Sequence, residues 1–414
     1  MRSRTDAWHD LVLHGPDFAS RLSATIKFSC HCRADVTLDS LTPFSAHASA
    51  GAEEAAESMP MESIYYALSF ACHRQCAHCY EDRFRPYVRD GLTDVIAMAK
   101  RNFPRIIANL PESMRYLDLG QPLPGGGFAE RVGRVILSGG EVLLDPLREE
   151  ILYPALEALR ARYTGKGGVK LVVQTTGDLI TETIIGQLLD RGVWMVSIAG
   201  MDDFHAGMRG EKRKLLKRRL ISWFEAAGMS ASGHKAGERK WHEEEGPLYS
   251  FFGATPDTWI GKLWPRGRAW ANGLSTATLA DNFCNRWSGG LNFLDHAYSG
   301  SEVAIEPTGD VYPCCLKTKH PLGNLTEEKL IDILDSLADH PAFRAINRGA
   351  PQRMGLTLGW STDRFLERCK TVTPKGETYA NLCIGCDAFH QEVLGPVIED
   401  IRAALLGRRM PIAQ

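Results

Sequence analysis

Four short, nearly continuously apolar runs, residues 64–71, 135–137, 169–173 and 193–198, constrain the fold of this chain more than anything else in it. Runs of that length, bounded by turn residues, read as strands buried on both faces, the pattern of a parallel sheet. Helical patterns lie between them. Asp145 followed by Pro146 reads as an N-cap with proline at the first helical position, and Ile151, Leu152, Ala155, Leu156 and Leu159 then recur at helical spacing. A second helix is expected from about Thr181, with Ile184, Ile185, Leu188 and Leu189 on one face and Gly192 just past its end. Alternation of this kind builds βαβ units with right-handed crossovers.

Each strand is followed by residues unusual for a plain turn. Cys72, Cys76 and Cys79 follow the first, Ser138-Gly-Gly-Glu141 the second, Thr175-Thr-Gly177 the third, and Ala199-Gly200 ends the fourth. The carboxyl ends of parallel strands share one mouth, so four separate motifs converge on one volume. Three cysteines are one thiolate short of what a [4Fe–4S] cube takes, which leaves one iron open to another ligand. The alternative is a structural zinc on the three cysteines and His73 or His78. A zinc knuckle gives no reason for a Gly-Gly-Glu turn at the next strand end.

At 414 residues the chain exceeds one comfortable core, so two or three domains are expected. No run of 18 apolar residues is present to span a membrane, and a net charge of −2 exerts no bulk pull on nucleic acid or anionic lipid. The cysteine total of 11 is odd and no apolar signal segment opens the sequence, which points to reduced thiols and a cytoplasmic setting. Residues 45–58 are small and polar, a linker composition, and Cys30 and Cys32 upstream are assigned no metal. The basic run 211–219 invites a nucleic-acid reading, but Leu215, Leu216 and Leu220 suit an amphipathic helix with a solvated face, balanced by the acidic residues 243–245.

The spacing C-x3-C-x2-C followed by Tyr80 resembles the signature of the radical S-adenosylmethionine (radical SAM) superfamily. That resemblance implies an α/β fold, a partial (β/α)6 TIM-like barrel over residues 61–270, with the cofactor's methionine part at the open iron. It further implies that Gly139, Gly140 and Glu141 hold the cofactor's amino group, the carboxylate of Glu141 by charge-assisted hydrogen bonding. Tyr80 is expected near the adenine, and Thr176, Ser197 and Arg209 as further cofactor contacts. Ser197-Ile-Ala-Gly200 resembles a strand end that usually reads Ser-x-Asp-Gly; Ala199 replaces the Asp, with Asp202 or Asp203 as nearby carboxylates.

A second constellation lies downstream. Gly309 stands five residues before Cys314 in a Thr-Gly-Asp hairpin pattern, Leu322-Gly-Asn-Leu325 follows, Cys383-Ile-Gly-Cys386 comes near the end, and Cys284 stands upstream. The order resembles the SPASM/Twitch extensions of radical SAM enzymes. It implies a small cysteine-rich α+β domain over residues 271–414 holding one auxiliary [4Fe–4S] cluster on Cys284, Cys314, Cys383 and Cys386. Cys315 and Cys369 are either alternative ligands or plain buried thiols, and zinc is the competing metal. The implied activity is reductive cleavage of S-adenosylmethionine to a 5′-deoxyadenosyl radical that takes hydrogen from a substrate. The implied substrate is a peptide or protein, with a small-molecule dehydrogenase or a cofactor-biosynthesis enzyme as the alternative, and the implied electron donor is a flavodoxin or ferredoxin. Residues 1–60 are then free to help hold a leader peptide. A non-catalytic, metal-stabilised binding protein is the reading of a different class.

Overall fold

The computed structural model describes residues 62–233, 244–254, 262–286, 302–338 and 340–409, all within one compact unit, Glu53–Gln414. Cys30, Cys32, the 45–58 linker and the rest of the 1–60 segment lie outside the described residues. Among the described residues no helix is long and apolar enough to cross a membrane.

The described residues form thirteen strands: β1 (Ser63–Ala67), β2 (Arg115–Pro122), β3 (Phe128–Val132), β4 (Arg134–Ser138), β5 (Lys170–Thr175), β6 (Val193–Ala199), β7 (Ser230–Ala231), β8 (Leu248–Phe252), β9 (Glu302–Ile305), β10 (Asp310–Tyr312), β11 (Gly323–Asn324), β12 (Lys370–Val372) and β13 (Thr378–Ala380). Nine form one open sheet in the order β11-β10-β9-β1-β4-β5-β6-β8-β7. From β9 to β7 every neighbouring pair is parallel, and β10 and β11 add antiparallel at one edge. The fold is thus a mixed α/β sheet of the expected kind, open at β11 and β7. Three of the four expected strands fall at β4, β5 and β6. The first is shorter than expected, because the chain leaves the ladder after Ala67 and only Leu68 N still reaches Ser138 O at 2.7 Å.

Parallel β1 and β4 are linked by helix α1 (Asp90–Ala108), and α2 (Tyr153–Tyr163), α3 (Glu182–Asp190) and α4 (Glu211–Ala226) follow β4, β5 and β6. Alternate strand residues, among them Ile64, Tyr66, Val135, Leu137, Val173, Val196 and Ile198, pack against Leu156, Leu159, Ile185 and Leu188 of the helices. Each such side chain contributes about 1.5–3 kcal/mol when fully buried. Thr181 caps α3, its hydroxyl accepting Ile184 N at 3.2 Å, and Gly192 at φ +77° follows the helix end as expected. Asp145 is no cap. Pro146 is cis, the helical chain opens as a π turn at Arg148–Leu152, and the Asp145 carboxylate instead pairs with Arg148 Nη2 at 2.5 Å. In α4 the buried stripe is Leu216, Leu220 and Phe224, spaced one turn apart; Leu215, expected on it, is exposed.

C-terminal to the parallel strands lie α5 (Gly267–Ala271), α6 (Phe283–Arg286), α7 (Leu330–Asp335), α8 (Pro341–Asn347), α9 (Thr362–Arg368), α10 (Leu382–Phe389) and α11 (Gly395–Arg409). The expected Thr-Gly-Asp turn joins β9 to β10, with Gly309 at φ +93° and its N–H on Glu306 O at 2.9 Å.

Candidate cluster and cofactor site

The remaining strand residues face a cavity of about 650 Å³ that opens at the carboxyl ends of the strands. Paired register puts Tyr65, Ile136, Val172 and Met195 on one level, and Gln174, Ser197 and Ser250 on the next. The upper level is a neutral hydrogen-bonding layer. Tyr65 Oη lies 2.8 Å from Ser138 Oγ and accepts from Gln174 Nε2 at 3.1 Å, and Ser197 Oγ meets Ser250 Oγ at 2.8 Å. Burial lifts the Tyr65 phenol to about 12, so it stays a neutral donor and acceptor.

The cysteine loop caps this cavity: Cys72, Cys76, Cys79, Tyr80, Gly139, Gly140, Thr176 and Ser197 all line it. The loop is held by α5, whose Arg268 and Ala269 also line the cavity. Arg268 donates from Nε to Cys76 O at 2.9 Å, from Nη1 to Asp82 O at 2.9 Å and from Nη2 to Phe84 O at 2.7 Å, and its own N–H meets Cys79 O at 2.8 Å. Sequence reasoning missed Arg268; the only signal was its place in Pro265-Arg-Gly-Arg-Ala269. Backbone N–H groups of Arg74 and Ala206 point at the sulfurs of Cys72 and Cys76, each at 3.4 Å. Burial pushes the Cys72 thiol up to about 12 and Cys79 to about 11. Left alone these groups stay protonated, and a bound metal is what turns them into thiolates.

The geometry does not suit zinc. His73 Nε2 is on Asp178 Oδ2 at 2.8 Å, and the His78 ring stands edge-on to His205 with centroids 4.5 Å apart. A tetrahedral zinc brings its thiolates to roughly 3.8 Å of one another, given Zn–S bonds of about 2.3 Å. Among the described residues no three cysteine sulfurs lie mutually within 4.8 Å; the one such donor group is His78, Asp202 and His205. Asp202 there is committed to its own turn, accepting Phe204 N at 2.9 Å, His205 Nδ1 at 3.0 Å and Ala254 N at 3.0 Å. A cube, with an iron behind each thiolate, allows its thiolates a wider spacing than a single zinc does.

Glu141 departs from expectation. The residue is 2% exposed and is not part of the cavity lining. Oε1 accepts Leu143 N at 2.9 Å and the Thr175 hydroxyl at 2.7 Å; Oε2 accepts Thr176 N at 2.8 Å and shares the Thr176 hydroxyl with Asp178. Three donors are its own and a fourth is shared with Asp178, so both carboxylate oxygens are already engaged within the protein. Glu141 ties the β4 turn to the end of β5. In Glu141→Gln the amide NH2 must face either Leu143 N or Thr176 N whichever way it turns, and the expected loss is about 2–4 kcal/mol of stability. Chemical denaturation checks this; unchanged stability with weakened cofactor binding would restore the ammonium role. Arg209 also stands apart. It is exposed, outside the cavity lining, with Nε on Asp203 O at 2.8 Å.

The second cysteine set gathers around Arg266. Cys284 lies on α6, Cys314 follows β10, and Cys383 and Cys386 lie on α10, whose N-cap Asn381 accepts Cys383 N at 2.9 Å. Burial, then Cys314 and Cys383, hold the Cys284 thiol well above its ordinary value; burial, then Cys284, Asp387, Cys383 and Cys314, do the same for Cys386. The four expected residues are therefore mutual neighbours. Cys369 is a fully buried core thiol beside Phe365, where a Cβ on Gly385 would come within 2.5 Å of its sulfur. Cys315 lines the large cavity instead.

Residues 298–356 match the SPASM family, described as an iron–sulfur cluster-binding domain. No curated protein sequence matches the chain. Similar solved structures include BtrN in complex with AdoMet and 2-DOIA, at 15% identity over 70% of this chain and 89% of that one, TM-score 0.37. Streptococcus suis SuiB bound to precursor peptide SuiA is 13% identical over 76% of each chain, TM-score 0.38. The native anSMEcpe structure with AdoMet and Cp18Cys peptide is 13% identical over 83% of this chain and 100% of that one, TM-score 0.38. At these values the likenesses carry no weight for the chemistry. Residues 298–356 are thus matched to an iron–sulfur cluster-binding domain of the SPASM type, and upstream of them the strand mouth gathers Cys72, Cys76 and Cys79 with Gly139 and Gly140 on one cavity.

Proposed function

We propose that the chain is an enzyme that uses residues 61–270 to cleave S-adenosylmethionine and residues 271–414 to hold one auxiliary [4Fe–4S] cluster on Cys284, Cys314, Cys383 and Cys386. When bound, the cluster on Cys72, Cys76 and Cys79 supplies the electron that splits the cofactor's carbon–sulfur bond to a 5′-deoxyadenosyl radical, which takes hydrogen from the substrate. The observation that carries this reading is the convergence of the three thiols with Gly139 and Gly140 on one cavity at the strand mouth.

The chain's own residues position and exclude. Gly139 and Gly140 line the cavity and would offer backbone to the cofactor's amino group, since Glu141 is engaged elsewhere. Tyr80, Thr176 and Ser197 border the same space. Ile136, Val172 and Met195 line the cavity as an apolar level next to the hydrogen-bonding layer. A volume of about 650 Å³ is within the range of ordinary ligand pockets and has room for a nucleoside cofactor and one substrate group beside it. The layer of Tyr65, Gln174, Ser197 and Ser250 suits an uncharged hydroxyl or amide. A peptide is the substrate we favour, with a small hydroxylated metabolite second. A low-potential flavodoxin or ferredoxin is the donor.

The test is anaerobic reconstitution followed by S-adenosylmethionine and a chemical reductant. The wild-type chain is expected to release 5′-deoxyadenosine, and Cys76→Ala to fall at least about a hundredfold, since loss of a ligand removes the site of cleavage. Equal release from both would contradict the reading. Stimulation by peptides or by polyols separates the two substrate classes.

A further inference from the structure

Arg266 is packed against the second cysteine set, and its surroundings are not those of a surface charge. Its side chain is 12% exposed. Nε donates to Leu316 O at 2.9 Å, Nη1 to Pro265 O at 3.1 Å and to Asp387 Oδ2 at 2.9 Å, and Nη2 to Asp387 Oδ1 at 3.0 Å and to Cys383 O at 3.5 Å. Asp387, directly after Cys386, is 21% exposed, and the pair forms a two-bond fork. The neighbouring Gly267, at φ +49°, is pressed onto the first loop, where a Cβ would come within 2.5 Å of the Tyr80 carbonyl. Arg268 grips that loop as described. The segment therefore fixes Arg266 in relation to both cysteine sets.

Resting on the ligand set proposed above, we infer that Arg266 and Asp387 act as an opposed pair of buried charges that set the reduction potential of the auxiliary cluster. A [4Fe–4S] cube on four thiolates carries charge 2− when oxidised and 3− after it takes one electron from a low-potential donor, with no proton transferred. A fixed cation in a poorly solvated setting stabilises the more negative state, and a fixed anion opposes it. Arg266 raises the potential; Asp387 holds that rise in check. A strut that merely pins α5 to α10 has no such sign.

The experiment uses the full chain carrying Cys72→Ala, Cys76→Ala and Cys79→Ala, so that only the auxiliary cluster assembles, with anaerobic redox titration followed by electron paramagnetic resonance. Arg266→Gln is expected to lower the midpoint, Arg266→Lys to stay close to the parent, and Asp387→Asn to raise it. Shifts of the same sign in Arg266→Gln and Asp387→Asn, or no shift in either, overturn the inference alone. If Arg266→Gln fails to hold iron, the sign in Asp387→Asn decides: upward supports the inference, downward or unmoved overturns it. A parent chain that assembles no second cluster overturns the inference and the ligand set together, while leaving S-adenosylmethionine cleavage at the first site to be judged separately.

Discussion

Gly140→Ala is expected to abolish assembly of the first cluster and to destabilise the fold by upwards of about 3 kcal/mol, the range of substitutions that force buried backbone apart. A Cβ at residue 140 would be driven into the Ala71 carbonyl, 2.5 Å from its carbon and 2.9 Å from Cys72 Cβ. None of these is the far end of a flexible side chain. The turn and the cysteine loop are also stitched together there, Gly140 N to Ser69 O at 3.0 Å and Glu141 N to Ala71 O at 2.9 Å. Relief would have to move Cys72 itself. Gly139, at φ +150°, meets the same loop, with a Cβ 2.7 Å from Ser69 O. The glycines thus serve loop packing as much as ligand approach. Iron content and thermal unfolding of the variant check this; near-wild-type values of both would show that the loop can give way.

Lys317→Met is the second large effect. Lys317 contacts Glu81 and Glu306, and Arg83 pairs with the same two carboxylates, through Nε to Glu81 at 2.8 Å and through Nη2 to Glu306. Glu306 is 1% exposed and Lys317 14%. Glu81 and Arg83 follow Cys79, while Glu306 and Lys317 flank Cys314, so the quartet joins the two cysteine regions. Removing one cation leaves two buried carboxylates to a half-exposed arginine, which costs about 3–5 kcal/mol.

The pH dependence follows from the same atoms. Burial alone would raise the Glu81 carboxyl, but Arg83 and Lys317 outweigh it and hold it near 2, below its ordinary 4.5. A depressed folded value means that the stabilisation is complete above about pH 4.5 and is lost as pH falls from there towards 2. In Lys317→Met the folded value moves back towards 4.5, so that loss should be smaller and complete at higher pH. Denaturation midpoints at neutral and acid pH measure both effects, and a loss below about 1 kcal/mol at neutral pH would mean that the quartet behaves like a surface pair.

Much of the frame was legible because parallel strands buried on both faces leave continuous apolar runs. That is why β4, β5 and β6 and the motifs after them fell where expected. The same signal was weaker for β8, where Leu248-Tyr-Ser-Phe-Phe252 breaks its apolar run with Ser250, a member of the cavity's polar layer. Strand β9 was hidden because its register is set by β1, more than two hundred residues away. Local patterns misled where a tertiary partner took over. Asp145 prefers Arg148 to a capping role, and Leu215 yields the buried face to Leu216. Glu141 looked free because its four donors come from a neighbouring turn and a different strand end. Arg268 reaches carbonyls 184 to 192 residues distant, which no spacing rule could point to.

The most direct test is the count of iron and sulfide in anaerobically reconstituted protein. Two cubes predict about eight irons per wild-type chain, about four once Cys72, Cys76 and Cys79 are all replaced by alanine, and about four when Cys383 and Cys386 are. Zinc in place of iron, or an iron content indifferent to both sets of substitutions, would contradict the account.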